Sequence, residues 1–246
     1  MRLLVSVRSA AEAEAAVLGG ADVVDAKEPS RGSLGPVAPA ALRAIAASLP
    51  VGAPLSAALG DFVRQEQARV AVESVPRLPG GPSAWYLKLG FAGVADPATI
   101  ERVMEAAVAA ARSRGDGAVI VAAAYADHHR AGSAAPEAVA RAASRQGAAG
   151  VLVDTWGKDG RDLFHWMPLP RLTAWVDQAR AAGLLTAAAG SLAGGALESA
   201  LLTGVDVVGV RGAVCEGGRS GRLAAERVRA IARLLRGRGT REHVVT

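Results

Sequence analysis

A chain of 246 residues can bury one full core, and a single β/α domain of about 250 residues is an ordinary size. Half of it is apolar (51%) and only 4% is aromatic, yet no apolar run is long enough to span a bilayer. The formal net charge of +5 is spread as arginines alternating with Glu and Asp, which reads as solvated faces rather than a nucleic-acid footprint and suits small phosphorylated substrates. The N-terminal "MRLLVSVRSAAEAEA" lacks a signal-peptide layout, and the lone Cys215 excludes an internal disulfide and fits a reducing compartment. The expectation is a cytoplasmic protein with neither a membrane nor a nucleic-acid partner. Its alanine-rich helix faces leave self-association into a homo-oligomer open.

The elements alternate along the chain. "LLVSV" (3–7) opens as a strand, and "SAAE" from Ser9 to Glu12 is a capping-box signature for the helix that follows, ended by Gly19 and Gly20. "DVVDAK" (22–27) is the second strand, followed by the long loop "EPSRGSLGPVAP" and a helix over 38–48. "PLSAAL" (54–59), "WYLKLG" (85–90) and "AVIVAAA" (118–124) follow as strands, with helices over 62–75 and 97–113 between them. "GVLVDT" (150–155), "LLTAAAG" (184–190) and "VVGVRG" (207–212) complete the set, with helices over 135–146, 170–182 and 193–202 and a last one over 219–236. Eight short apolar strands, each followed by a helix, predict an α/β fold of the (β/α)8 TIM-barrel type. The barrel domain is expected over 1–238, with a C-terminal tail over 239–246. An open doubly wound sheet is the alternative, weakened by the lack of G-x-G-x-x-G after the first strand.

Lysine usage is the sharpest signal. Of 28 Lys and Arg residues, all but Lys27, Lys88 and Lys158 are arginine. A plain positive charge does not explain these three, because arginine supplies it everywhere else. An amine able to lose its proton does. Lys27 ends the second predicted strand, Lys88 lies near the end of the fourth, and Lys158 follows the sixth. Chemistry on a barrel sits at these C-terminal strand ends, and strands of one parity fill the same interior layer, so the three can converge. Asp25 shares a strand face with Lys27, and Asp154 ends the sixth strand four residues before Lys158. Clustered amines depress one another's pKa, and neighbouring carboxylates can move protons or orient an amine. The implied class is a Schiff-base enzyme. The competing reading makes each lysine a surface charge or a structural ion-pair partner.

The last two loops predict where a phosphate is held. Gly190, Ser191, Gly194 and Gly195 follow the seventh strand, and Arg211, Gly212 and "GGRSG" (217–221) follow the eighth, where barrels often bind phosphate through backbone N–H groups. "GSLG" (32–35) is a weaker cradle. His128 and His129 beside Asp127 lack metal-ligand spacing and read as a solvated loop, and His165 has no partner pattern. Phe164 and Trp166 read as packing, or as a wall over a flat ring. Cys215 has no paired base and no companion cysteine, so no cysteine metal site is expected.

Together, "GGADVVDAKEPSRGSLG", "YLKLG", "VLVDTWGKDGRDLF", "AGSLAGG" and "VVGVRGAVCEGGR" resemble the (5-formylfuran-3-yl)methyl phosphate synthases, over nearly the whole chain. The resemblance implies a (β/α)8 barrel that condenses two molecules of glyceraldehyde 3-phosphate into a phosphorylated furan aldehyde. Phosphate and water are lost, and the product feeds methanofuran-type one-carbon carriers. As a class this is a carbon–oxygen lyase acting on phosphates. The family's Schiff-base lysine matches Lys27 and its base lysine matches Lys88. Its companion acids and third lysine match Asp25, Asp154 and Lys158. No metal or organic cofactor is implied. Two alternatives stay open: another Schiff-base aldolase acting on phosphorylated sugars, and a non-catalytic barrel that binds a phosphorylated metabolite.

Overall fold

A computed structural model describes residues 1–78 and 81–237, so the expected tail over 239–246 lies outside the described residues. Eight parallel strands close into a barrel: β1 (Arg2–Val7), β2 (Val23–Ala26), β3 (Leu55–Asp61), β4 (Trp85–Gly90), β5 (Ala118–Tyr125), β6 (Gly150–Asp154), β7 (Leu185–Ala188) and β8 (Val207–Val210). Closure comes from β1, which pairs β2 (Ser6 opposite Asp25) on one side and β8 (Val5 opposite Val210) on the other. Every residue of β2, β6 and β8 is buried, as expected of strands covered by helices outside and side chains within.

The helices α1 (Ala10–Leu18), α2 (Pro39–Ala47), α3 (Gln65–Ser74) and α4 (Pro97–Arg114) follow the first four strands. Next come the one-turn α5 (His128–Ala131), α6 (Pro136–Arg145), the one-turn α7 (Leu163–Trp166), α8 (Leu169–Ala181), α9 (Gly195–Leu201) and α10 (Ala225–Gly237). Local chemistry sets their ends. Asp96 accepts from the N–H groups of Ala98 and Thr99 at the start of α4, Pro97 occupies its first turn, and Gly115 stops it with φ 66°. Ser9 accepts from the Glu12 N–H as the capping signature predicts, but the Glu12 carboxylate reaches back to Arg8 rather than to Ser9.

Two expectations are corrected. The terminal helix does not begin at 219. Residues Arg222–Leu223 (β10) instead pair antiparallel with Cys215–Glu216 (β9), and α10 starts at Ala225. The hairpin folds back so tightly that a Cβ on Gly221 would overlap the Glu216 carbonyl. Lys27 lies one residue beyond β2, although its N–H still bonds the Val7 carbonyl at 3.0 Å and prolongs the β1–β2 ladder. Among the described residues no helix is long and apolar enough to cross a membrane.

Candidate active site

A cavity of about 380 Å³ opens at the C-terminal ends of the strands and runs down into the barrel. Its floor is apolar, built from Leu4, Val23, Val121, Leu185 and Val207, and its wall holds Lys27, Lys88, Lys158, Asp25 and Asp154. The three lysines do converge on one space. Small inward residues, among them Ser6, Ser56 and Gly209, keep the shaft beneath them open.

The three amines are not equivalent. Lys88 Nζ lies 2.7 Å from Asp25 Oδ1, and both side chains are buried. The other oxygen of Asp25 accepts from the Ser6 hydroxyl at 2.8 Å. Burial alone would raise the pKa of Asp25. The charges of Lys88 and Lys27 and the bonds from Lys88 and Ser6 outweigh it, so the carboxyl is held below its usual range. Lys158 Nζ donates to Asp154 Oδ1 at 2.8 Å and to Thr155 Oγ1 at 3.2 Å. Asp154 is likewise fully buried, and the charges of Lys158 and Lys27 with the N–H of Thr155 overcome the burial cost and keep it ionised. Lys27 differs. Among the described residues its amine has neither a hydrogen-bond nor an ion-pair partner. Burial lowers its pKa to about 8, and repulsion from Lys88 and Lys158 adds to that against the opposing pull of Asp154 and Asp25. The arrangement is one uncommitted amine flanked by two amine–carboxylate pairs.

Other sequence expectations fare unevenly. Gly190, Ser191 and Gly212 line the cavity. Gly190 has φ 115°, and a Cβ there would press on Thr155 at 3.0 Å, so the close approach requires glycine. Gly194 and Gly195 do not line the cavity. They form the turn into α9, where the Gly194 carbonyl accepts from Leu197. Arg211 lines it but has no free donor. Its guanidinium holds both oxygens of Glu12 and the carbonyls of Ser6, Arg219 and Gly221. It is a buried cross-tie between β8, α1 and the last loop, which is a correction to its expected place as a phosphate ligand.

"GSLG" is not an open cradle. The loop closes on itself through the Glu28 N–H to the Gly35 carbonyl, and the buried Ser33 hydroxyl sits 3.1 Å from Asp154 Oδ2 and 3.0 Å from the Thr155 carbonyl. Trp166 stands outside the cavity, between the guanidinium groups of Arg130 and Arg161 at 5.2 and 5.3 Å. His128 and His129 stack on each other at 3.9 Å. Cys215 is buried, and burial pushes its thiol pKa up, away from nucleophile chemistry.

Two residues have places that the sequence reading did not single out. Asp127, 2% exposed, accepts the N–H groups of Trp156 and Gly157 at 2.6 and 2.8 Å. It thereby fixes the loop that returns Lys158 to Asp154. Arg219 lines the mouth. The sequence presents Arg219 only as part of the "GGRSG" loop, and Asp127 only as a neighbour of His128. The only available signal was position, directly after β5 for Asp127 and inside the "GGRSG" run for Arg219.

A closed (β/α)8 barrel with paired and unpaired amines at its mouth belongs to the barrel enzymes that work at their C-terminal strand ends. The fold recurs in phosphoribosyl anthranilate isomerase from Thermus thermophilus (TM-score 0.61, 20% identity, 96% of this chain and 99% of that one). It recurs also in a 3-hexulose-6-phosphate synthase (TM-score 0.56, 19% identity, 94% and 99% coverage).

Sequence narrows the class further. Residues 3–232 match the family model described as 4-HFC-P synthase. The chain is 39% identical over 237 residues to the (5-formylfuran-3-yl)methyl phosphate synthase of Methanothermobacter thermautotrophicus, covering 96% of this chain and 99% of that protein. It is 36% identical over 236 residues to the enzyme of the same name from Methanocaldococcus jannaschii, covering 95% and 99%. The chain belongs to the 4-HFC-P synthase family.

Proposed function

We propose that this protein makes (5-formylfuran-3-yl)methyl phosphate from two molecules of glyceraldehyde 3-phosphate through a Schiff base on Lys27. The observation that carries the reading is the lone unpaired amine, its pKa lowered to about 8, between two lysines already held by carboxylates. Neutral Lys27 adds to the aldehyde of one triose. The Lys88 ammonium protonates the carbinolamine hydroxyl, which leaves as water and produces the iminium ion. Lys88, now neutral, takes the proton from the adjacent carbon and leaves an enamine. Asp25, 2.7 Å from Lys88 Nζ, holds the Lys88 amine in place through both transfers.

The enamine carbon attacks the aldehyde of the second triose. Asp154 and Lys158 move protons at the new hydroxyls. Loss of one phosphate, ring closure, dehydration and hydrolysis of the Lys27 imine release the furan and restore the free amine, and the furan's aromaticity makes the sequence irreversible. The backbone around Gly190, Ser191 and Gly212 receives one of the two substrate phosphates. The product serves methanofuran-type carriers.

The test is incubation with glyceraldehyde 3-phosphate, borohydride reduction and peptide mapping. A reduced triose on Lys27, with furan absorbance growing in the unreduced sample, is expected. Lys27→Arg keeps the charge and should lose turnover, because guanidinium forms no imine. Substantial activity in Lys27→Arg sinks the Schiff base. An adduct with reversible turnover and no furan absorbance replaces the synthase with another aldolase, and saturable binding with no adduct leaves a binding protein.

A further inference from the structure

Two phosphorylated trioses carry two phosphates, and the glycine loops after β7 and β8 offer one place. The cations of the mouth show where a second anion fits. Five cationic side chains line the cavity: Lys27, Lys88, Lys158, Arg211 and Arg219. Lys88 is paired with Asp25, Lys158 with Asp154 and Arg211 with Glu12. Lys27 reacts only as the neutral amine.

Arg219 is left. Its Nη2 donates to the carbonyls of Pro29 and Gly32 at 2.9 and 3.1 Å. Among the described residues its Nε and Nη1 make no hydrogen bond, and no carboxylate forms an ion pair with it. The side chain is half-buried. It leaves the β8 loop beside Gly212, whose added Cβ would lie 3.8 Å from the Arg219 Cβ, and ends at the loop that directly follows Lys27. A half-desolvated guanidinium with free donors and no carboxylate within ion-pair reach, Asp154 and Glu28 acting only from farther away, suits an anion.

We infer that Arg219 binds the phosphate of the triose whose aldehyde meets Lys27, leaving the glycine loops to the phosphate of the other triose. This rests on the two-triose reading above. The carbonyls of Pro29 and Gly32 hold the guanidinium still, so its remaining N–H groups are aimed before substrate arrives. The same contact ties the loop after β2 to the loop after β8 across the mouth. Phosphate binding therefore also steadies the segment that starts at Lys27.

Glycerol 3-phosphate separates this inference from the Schiff base, because it carries the phosphate but has no aldehyde. Calorimetry on the wild-type chain should show saturable binding. Arg219→Gln should weaken it by roughly tenfold to a hundredfold, the worth of hydrogen bonds to a charged group, with Arg219→Lys between the two. Gln removes the charge and shortens the side chain, so the unfolding midpoint of each variant checks that the fold survives loss of the Pro29 and Gly32 contacts. In borohydride trapping, Arg219→Gln should lose the preference for glyceraldehyde 3-phosphate over unphosphorylated glyceraldehyde by the same factor, with its Lys27 still reactive. Unchanged glycerol 3-phosphate affinity in folded Arg219→Gln, or no saturable binding to the wild type, overturns the inference. Arg219-dependent binding with no adduct on Lys27 upholds it and removes the Schiff base instead.

Discussion

The depressed pKa of Lys27 ties reactivity to stability, and replacing Lys27 by Met tests both. Lowering the value from 10.5 to about 8 raises the neutral fraction at pH 7 from about three in ten thousand to about one in ten, a gain of roughly 300-fold in reactive amine. The same shift means that the folded protein holds the charged amine at a cost of about 3 kcal/mol relative to the unfolded chain. The pull of Asp25 and Asp154 is already inside that net shift.

The sign follows from proton counts. Between pH 8 and 10.5 the unfolded chain binds more proton than the folded one, so wild-type stability rises with pH there. Below 8 the cost is constant, and above 10.5 it is gone. Lys27→Met should therefore be more stable than wild type by up to about 3 kcal/mol at pH 7 in urea titration, with the difference shrinking across that window. Wild-type trapping by borohydride should rise with pH around a midpoint near 8. A Met variant less stable than wild type at pH 7, a difference flat in pH, or a trapping midpoint near 10 would refute the reasoning.

Three further outcomes are expected. Glu12→Gln leaves the Arg211 guanidinium, 8% exposed, without its counter-charge and should cost about 3–5 kcal/mol in urea unfolding; a loss below about 1 kcal/mol would make the pair incidental. Gly90→Ala would drive a methyl onto the Asp61 carboxylate and to 2.6 Å from the Tyr125 hydroxyl, so overpacking should destabilise by about 1–3 kcal/mol, and an unchanged unfolding midpoint contradicts it. Asp127→Ala releases the Trp156–Gly157 turn and should lower kcat by roughly tenfold to a hundredfold through misplaced Lys158. Asp127→Asn, which keeps one acceptor, should fall between, whereas equal effects on KM alone would assign Asp127 to substrate binding.

The barrel was legible because buried parallel strands are nearly continuous apolar runs, and eight of them alternate with alanine-rich helices. The β9–β10 hairpin was not, because two-residue strands carry no periodicity and form only when Arg222 and Leu223 meet Glu216 and Cys215. Lys27, Lys88 and Lys158 stood out by rarity. Which of them is free is a property of distances that spacing does not contain. Glycine misled at 194, where a positive-φ turn uses it, and at 195, where nothing requires it, and informed at 190, where a wall needs it. Arg211 and Arg219 are indistinguishable in sequence. Eight residues apart, one is locked by Glu12 and three carbonyls, and the other keeps open donors at the mouth.

That difference bears on why three lysines survive among so many arginines. Arginine serves where a fixed charge ties loops together, as Arg211 and Arg219 do with backbone carbonyls. Lysine is kept where a proton has to move. Asp25 and Asp154 pair with Lys88 and Lys158 beside Lys27, and the repulsion of those two amines helps make Lys27 reactive. Without the carboxylates, two cations at the mouth, Lys88 buried and Lys158 half-buried, would face a third amine unpaired. Without the cations, the carboxylates would pull the Lys27 proton back on and silence the amine. Burial supplies the largest push on Lys27, and the four charged neighbours act in opposite directions around it. The site therefore sets its reactive amine mainly by excluding water, and a change that merely opens the shaft to solvent should raise the Lys27 pKa without touching a charged residue.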